Sequence, residues 1–272
     1  MTRLMLFAIL LHTASAEERL AVVDGYAFVQ VRVNGKGPFR MLVDTGASSC
    51  MLSSEAATSA GLVYDHRVVV ATAAGEHVLP AAGEAHVQAG TVQASGVEML
   101  VGPIDAVRQV DPKADGILGQ SFLGRFPYLI DYRKKRLMIG GEAEEQSVVL
   151  GGPLAADQVD GRIVVPVSFG GGGKSWRLVL DSGSRRLVLE CGTGCPRIER
   201  TGTGEMVTNA GRRVVEVGVA KRIEVGELAI ARAEALLERN ASDAGREDGL
   251  LPTHLFSAVY VDARKGQVRL GR

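Results

Sequence analysis

Short apolar runs bounded by turn residues dominate the chain. The runs FVQVRV, RMLV, RIVVPVSF and RLVL are rich in β-branched and aliphatic residues and are bounded by Gly, Asp or Asn. This pattern predicts β-strands. NGKG at 34–37 predicts a hairpin turn between the first two runs, and GGGGKS at 170–175 takes that place between the last two. Segments 53–62 and 227–240 fit either short helices or strands, so the pattern as a whole predicts a mainly β protein.

The pattern occurs twice. Residues 39–52, FRMLVDTGASSCML, align with residues 176–189, WRLVLDSGSRRLVL, at an offset of 137 residues. Further segments repeat in the same order at similar offsets: 24–35 with 160–171, 72–78 with 208–214, 114–123 with 247–256, and 130–140 with 261–271. Paired blocks in one order indicate an internal duplication. We therefore predict an N-terminal lobe at 17–140 and a C-terminal lobe at 160–272, joined by a linker at 141–159.

Each copy carries an Asp-Thr/Ser-Gly tripeptide directly after an apolar run. One such tripeptide is common in turns, but Asp44-Thr45-Gly46 and Asp181-Ser182-Gly183 occupy equivalent positions in the two copies. In this paired arrangement the sequence resembles the two-lobed aspartic peptidases of the pepsin and retroviral-protease (retropepsin-like) type. The resemblance covers nearly all of the chain after residue 16. It implies an all-β fold with two pseudo-symmetric, β-barrel-like lobes of the acid-protease type and an interlobe cleft.

The resemblance implies that Asp44 and Asp181 are the catalytic residues. Two carboxylates held close together share one proton, because two adjacent negative charges cannot both persist. One is then the base that takes a proton from water, and the other is the acid that donates to the carbonyl oxygen. Gly46 and Gly183 would let the backbone pass close to the carboxylates without a side-chain clash. This chemistry requires no metal or organic cofactor, and we expect none.

Hydroxyl groups beside the two acids are expected to fix their geometry. By resemblance, Thr45 and Ser182 cross-bond between the two loops. Ser184 provides a hydroxyl in the second loop where the first loop has an alanine. A hydrogen bond from Ser184 to the neighbouring carboxylate would favour the ionised form. We therefore expect Asp181 to be the more ionised acid and Asp44 to carry the proton.

Three residues depart from the family pattern. Family members have a hydrophobic-hydrophobic-Gly segment beneath each loop, and residues 117–119 fit it, whereas residues 250–252 end in Pro252. Arg185 and Arg186 follow the second loop, where small or apolar residues are typical. Alternation along a strand would point one of them toward the acids, where it would lower their pKa values. The alternative is that both are solvated at a strand edge.

Two hairpins are candidates for flaps that close over a bound peptide. Residues 68–80 follow the first loop at the distance expected from the family, and residues 206–217 are their repeated counterpart. The first predicted tip comprises Thr72, Ala73, Ala74 and Gly75, and the second runs from Thr208 to Gly211. The first tip lacks the tyrosine of a pepsin-like flap. For each hairpin the alternative is an ordinary surface loop.

Charge and the N-terminal segment restrict partners and location. Lys and Arg total 31 and so do Asp and Glu, so the chain has no basic excess that would favour nucleic acid or an anionic membrane. Residues 1–16 combine a basic start, an apolar run and an Ala-Ser-Ala site, which is typical of a signal peptide. A buried first strand or helix is the alternative. We expect a secreted or periplasmic protein, monomeric because both acids lie in one chain, without a membrane anchor.

Cysteine and histidine usage gives little sign of other chemistry. An oxidising compartment permits a disulfide between Cys191 and Cys195, which would staple the CGTGC loop. Cys50 has apolar neighbours and is expected to be buried and inert. The histidines show neither HExxH nor paired spacing, so no metal site is predicted.

These observations favour an aspartic endopeptidase that cleaves peptides or proteins with apolar side chains beside the scissile bond. An extended peptide in the cleft would pair with the flap backbone. One alternative is a catalytically inactive, two-lobed peptide-binding relative, which Pro252 and the two arginines favour. A second is another two-carboxylate hydrolase such as a glycosidase. We rank it last, because aromatic residues, which stack on sugar rings, make up only 5% of the chain.

Overall fold

A computed structural model describes residues 15–72, 75–170, 173–191, 194–208, 211–238 and 247–272. These residues form mostly β-strands, which confirms the prediction of an all-β fold. The predicted signal peptide lies outside the described residues, except for Ser15 and Ala16, which begin the first strand. No helix within the described ranges is long and apolar enough to cross a membrane.

The first half of the chain builds a curved eight-stranded sheet. Its strands and those that flank it are β1 (Ser15–Arg19), β2 (Ala21–Val23), β3 (Tyr26–Val33), β4 (Lys36–Val43), β5 (Cys50–Leu52), β6 (His66–Thr72), β7 (Gly75–Ala89), β8 (Val92–Val101), β9 (Gly116–Leu118), β10 (Tyr128–Asp131) and β11 (Arg136–Gly140). The helices are α1 (Ser54–Ala60), α2 (Asp105–Val110), α3 (Gln120–Leu123) and α4 (Gly141–Ser147). The sheet order is β2-β3-β4-β9-β5-β8-β7-β6, and β3 also pairs with β7, so the sheet folds back on itself.

The second half repeats this plan. Its strands are β12 (Leu154–Ala155), β13 (Asp157–Val159), β14 (Arg162–Phe169), β15 (Trp176–Asp181), β16 (Leu187–Glu190), β17 (Glu199–Thr208), β18 (Gly211–Ala220), β19 (Ile223–Val225), β20 (Leu228–Ile230), β21 (Ala233–Glu238), β22 (Gly249–Pro252), β23 (Ala258–Asp262) and β24 (Gln267–Leu270). A short 3₁₀ helix covers Thr253–Leu255. The second large sheet runs β17-β18-β21-β16-β22-β15-β14-β19-β20, with β13 beside β14.

Local sequence explains the predicted hairpin turn and the two segments that the pattern left open. Asn34 and Gly35 join β3 to β4 with φ angles of 51° and 74°, as an Asn-Gly hairpin turn requires. The segment 53–62 forms helix α1, because the Ser53 hydroxyl caps its first turn and Gly61 ends it in a left-handed conformation. The described part of the segment 227–240 contains strands β20 and β21, so this segment forms strands and not a helix.

A third sheet joins the two halves. Its order is β1-β11-β10-β23-β24-β12, and β10 from the first half pairs antiparallel with β23 from the second. Helix α4 follows β11 directly, and its Ala143 packs with Leu129 and Tyr260 beneath this sheet. The predicted linker therefore contains α4 and the short strands β12 and β13. One continuous hydrophobic core cluster contains residues of both halves.

Candidate active site

The two predicted catalytic acids lie in hydrogen-bond contact with each other. Asp44 follows β4, which pairs in parallel with β9, and Asp181 ends β15, which pairs in parallel with β22. In each lobe the acid lies at the carboxyl end of a strand in the parallel pair, so the two acids occupy equivalent ends of their sheets. Asp181 is buried and Asp44 is partly exposed, so the pair, called the dyad below, opens to solvent on one side.

The hydroxyls of Thr45 and Ser182 lock the two loops together. Thr45 Oγ1 donates to the Leu180 carbonyl at 2.7 Å and accepts from the Ser182 N–H at 3.0 Å. Ser182 Oγ donates to the Val43 carbonyl at 2.6 Å and accepts from the Thr45 N–H at 3.0 Å. Both side chains are buried, so these four bonds form away from water. This is the cross-bonding that the resemblance implies, and it holds the dyad across the lobe boundary.

Gly46 and Gly183 allow each loop to approach the acid of the other lobe. A Cβ atom on Gly46 would lie 2.6 Å from Cγ of Asp181, and one on Gly183 would lie 2.5 Å from Cγ of Asp44. Both distances are shorter than van der Waals contact, so a side chain at either position would push the carboxylates apart. Their backbone φ angles lie outside the left-handed region, so the requirement for glycine is steric.

The backbone environment distinguishes the two carboxylates. Asp44 Oδ1 accepts the N–H groups of Gly46 at 2.9 Å and Ala47 at 3.1 Å, whereas Asp181 Oδ1 accepts only that of Gly183, at 2.7 Å. Burial raises the pKa of both, and the charge of Asp44 raises the pKa of Asp181 further, well above its usual range. Two N–H donors favour the ionised form of Asp44. This backbone environment favours Asp181 as the acid that carries the shared proton.

This assignment reverses the expectation from the sequence. Ser184 Oγ donates to the Arg186 carbonyl at 2.8 Å, and it makes no bond to the Asp181 carboxylate in the described structure. The expectation that Asp181 is the more ionised acid was therefore wrong. That expectation assumed a hydrogen bond from the Ser184 side chain. Backbone N–H groups and burial instead determine which of the two acids is ionised.

The dyad opens into a cleft of about 490 Å³ between the lobes. Apolar side chains from both lobes line it, and they include Phe28, Leu42, Val107, Ile117, Val188, Met206, Leu236 and Leu250. Ile117 and Leu250 occupy equivalent positions in the duplicated blocks and flank the dyad from opposite lobes. The cleft therefore offers apolar surface on both sides of the acids.

Arg185 and Arg186 both line this cleft, but in a loop ahead of β16, so the argument from strand alternation was wrong. Arg186 forms an ion pair with Glu234 at 3.0 Å. Arg185 lies 4.0 Å from Asp24 of the other lobe. The expected lowering of the dyad pKa values by these arginines does not occur: burial raises the pKa of both acids, and the arginine whose charge acts on Asp181 is Arg162.

Pro252 fits its position without leaving a polar group unsatisfied. Gly119, its counterpart in the first lobe, donates its N–H to Cys50 Sγ at 3.3 Å. Leu187 takes the place of Cys50 in the second lobe and offers no acceptor, and proline has no N–H to donate. Pro252 lies opposite Asp181 in the parallel pairing of β15 and β22. The departure from the family pattern is therefore compensated locally.

Both predicted flaps are antiparallel hairpins. In the first, Thr72 pairs with Gly75, and Ala73 and Ala74 lie outside the described residues. In the second, Thr208 pairs with Gly211, and residues 209–210 lie outside them. The second hairpin contributes side chains to the cleft, namely Glu205, Met206 and Val207. It therefore forms part of the cleft wall.

Three features of the site escaped sequence reasoning. Tyr26 lines the cleft, and burial followed by the charge of Asp181 raises its pKa. Gln120 Nε2 donates to the Thr45 carbonyl at 3.0 Å and supports the first loop from below. Helix α2 adds Val107 to the cleft wall. Tyr26 begins strand β3 within the duplicated block 24–35, which is the signal that would have identified it.

Cysteines and metal ligands take no part in the site. A disulfide joins Cys191 to Cys195 with an S–S distance of 2.02 Å, while residues 192–193 of the loop lie outside the described ranges. Cys50 is a buried free thiol beneath the first loop. Among the described residues no group of His, Cys, Asp and Glu could hold a metal ion.

Comparison with known proteins agrees with this geometry. Residues 29–122 match the family described as aspartyl protease. A comparison with curated protein sequences finds no match. Among solved structures, the chain is similar to the crystal structure of aspartic proteinase from Irpex lacteus, with a TM-score of 0.56 at 12% identity, over 95% of this chain and 97% of that one. The first lobe therefore resembles the aspartyl protease family, and the chain as a whole shares the two-lobed fold of that aspartic proteinase.

Proposed function

We propose that the protein is an exported aspartic endopeptidase that hydrolyses peptide bonds with the Asp44/Asp181 dyad. The family match in the first lobe and the shared fold support the coarser part of this proposal, a protease. The observation that carries the finer part is the contact between the two acids, held by the reciprocal hydrogen bonds of Thr45 and Ser182.

The protonation of the dyad supports a direct attack by water. Asp44, ionised and stabilised by two backbone N–H groups, accepts a proton from the attacking water. Asp181, protonated because of burial and the adjacent charge, donates its proton to the carbonyl oxygen of the scissile bond. The resulting tetrahedral intermediate then collapses as the amine leaves with a proton from the dyad. No covalent bond to the protein forms at any step.

The cleft supports a substrate with apolar side chains beside the scissile bond. Apolar residues of both lobes flank the dyad, so one pocket wall lies on each side of the reacting carbonyl. Strand β17 is an edge strand of its sheet, so its outward backbone groups can pair with an extended peptide. A peptide that enters the cleft therefore meets apolar surface at both positions nearest to the acids.

Export is the part of the proposal that rests on the N-terminal sequence. Cleavage after Ala16 would leave Glu17, Glu18 and Arg19 of β1 in place, paired with Met138, Leu137 and Arg136. The third sheet therefore keeps most of its first strand after processing. Mass spectrometry of the protein recovered outside the cytoplasm should find Glu17 at the N-terminus, and an unprocessed Met1 in that fraction would contradict export through a cleaved signal.

The activity is tested with a diverse peptide library incubated with residues 17–272 at about pH 3 to 7, a range that spans carboxylate titration. Asp44→Asn and Asp181→Asn should each abolish cleavage. Asp157→Asn is the matched control, because this aspartate is 70% exposed and lies outside the cleft lining. Cleavage that survives in either dyad variant would overturn the mechanism. Absence of cleavage by the folded wild type would favour the inactive peptide-binding relative.

A further inference from the structure

The duplicated loops differ in charge at one place. Ser48 and Ser49 follow the first loop, whereas Arg185 and Arg186 occupy the equivalent positions after the second, at the same offset of 137 residues. A peptide has a direction, and it meets one loop on each side of its scissile bond. The two positive charges therefore act on one side of the substrate only.

Arg186 is held by a structural partner. It pairs with Glu234 at 3.0 Å, and in the first lobe Ser49 Oγ donates to Glu98 Oε1 at 2.6 Å. Glu98 and Glu234 are equivalent, because the residues after them pair in parallel with β5 and β16 respectively. Arg186 therefore serves the same anchoring function as Ser49, and Glu234 neutralises its charge.

Arg185 is much less neutralised. Its side chain is 59% exposed, and the carboxylate that pairs with it, Asp24, is 4.0 Å away and 71% exposed. Burial, followed by the charge of Arg185, lowers the pKa of His254, so this histidine becomes positively charged less readily than a free one. The hydrogen bond from Ser184 Oγ to the Arg186 carbonyl fixes the loop that carries Arg185. A guanidinium in this setting can bind a carboxylate through two parallel N–H bonds.

We propose that Arg185 selects peptides that carry an acidic side chain on one side of the scissile bond, and this inference rests on the proposed peptidase function. Arg185 and Asp24 line the same cleft as the dyad. A substrate carboxylate that binds Arg185 replaces Asp24 as its partner. Arg185 thus creates the selection for acidic substrates. Asp24 weakens this selection, because it competes with the substrate carboxylate for Arg185.

The two members of this ion pair give opposite predictions. Arg185→Ser installs the residue that the first lobe has at this position, and it should remove the preference for Glu over Gln, about two- to five-fold for a partly exposed ion pair. Asp24→Asn should increase the preference, because it removes the competitor. If the ion pair only held the lobes together, both substitutions would change activity in the same direction and neither would change the Glu/Gln ratio.

The experiment uses matched peptides that differ only by Glu or Gln at each successive position on either side of the scissile bond. Cleavage is measured as kcat/KM, and binding of the same peptides is measured on Asp44→Asn protein with and without Arg185→Ser. Arg222→Ser is the matched control, since Arg222 is also 59% exposed and ion-paired, to Glu224 at 2.7 Å, but lies outside the cleft lining. It should leave the preference unchanged.

The two readouts separate the two proposals. A Glu preference on one side only, lost in Arg185→Ser and weakened by high salt, is the expected result. If the wild type cleaves nothing but the Asp44→Asn protein binds the Glu peptide more tightly through Arg185, the peptidase function fails and the selection by Arg185 stands. Equal cleavage and binding of Glu and Gln peptides, or a preference that survives in Arg185→Ser, would overturn the inference.

Discussion

At the scale of single residues, the difference between Asp44 and Asp181 arises from the backbone. The duplicated sequences give both acids a following Thr or Ser and a Gly, yet Asp44 accepts two N–H bonds and Asp181 one. The sequence predicted that the acids would meet, because the duplication makes their positions equivalent. It could not predict which acid keeps the proton, because that depends on which backbone N–H groups reach each carboxylate, as that of Ala47 reaches Asp44.

The protonated state of Asp181 predicts a pH-dependent stability. Its pKa in the folded protein is raised, so its contribution to stability is fully present below the pKa of unfolded aspartate, about 3.9, and is lost as pH rises through the folded pKa. Asp181→Asn stays neutral and avoids this loss. Urea unfolding should therefore show the variant gaining stability over the wild type at about pH 7 and much less at about pH 3. An equal difference at both pH values would contradict the assignment.

The close approach of the loops predicts a steric effect at the glycines. In Gly183→Ala the new Cβ would meet Cγ of Asp44 at 2.5 Å, so the carboxylates should separate. A displacement of about 1 Å at reacting groups costs on the order of a hundred-fold in rate, and kcat/KM should fall accordingly. Gly194→Ala is the control, because its Cβ would meet nothing within 4 Å. Activity of Gly183→Ala comparable to that of the control would show that the dyad tolerates separation.

At the scale of elements, the second hairpin contributes to the wall of the cleft. β17 supplies Met206, which is 8% exposed and packs with Val188, Val215 and Leu236. The same side chain faces the space in which a substrate would lie. Because this strand belongs both to the core of the lobe and to the cleft wall, a change in core packing alters the shape of the cleft.

This position makes Met206 a test of the second hairpin. Met206→Ala removes apolar surface from the cleft wall, and the loss of such contacts should lower kcat/KM about ten-fold for peptides with large apolar side chains. Peptides with alanine at the same positions should lose much less. Val63→Ala is the control, because Val63 is 79% exposed and lies outside the cleft lining. An equal loss for both kinds of peptide would indicate damage to the fold rather than to a binding surface.

Elements that the duplication covers could be predicted, and elements outside it could not. Strands β4 and β15, the two hairpins and the segments ending at Gly119 and Pro252 all lie in repeated blocks. Helix α2 and strands β1 and β12 have no repeated counterpart in the sequence, so their contribution to the cleft wall and to the third sheet went unrecognised. Strands β1 and β12 lie at the two edges of the third sheet, and their composition does not differ from that of ordinary turns and linkers. Their pairing with distant strands therefore leaves no local signal in the sequence.

At the scale of the whole molecule, the third sheet makes the two lobes one mechanical unit. β10 pairs with β23, placing Leu129 opposite Tyr260 and Ile130 opposite Val259. The reciprocal bonds of Thr45 and Ser182 add a second connection at the dyad. The lobes are thus connected in both places, which holds the two acids in contact.

This connection predicts that the lobes unfold together. Trp176 is the single tryptophan and is buried in the second lobe, so its fluorescence reports that lobe, whereas far-ultraviolet circular dichroism reports both. Leu52 is fully buried in the first lobe, and Leu52→Ala should cost about 2–5 kcal/mol. Because the shared sheet and core couple the lobes, this substitution should lower the Trp176 midpoint in urea as much as the dichroism midpoint. Val63→Ala, exposed in the same lobe, should move neither. In the contrary case, the Trp176 midpoint stays unchanged in Leu52→Ala and the dichroism transition divides into two steps. That result would show that the lobes unfold independently and that the dyad contact does not couple them.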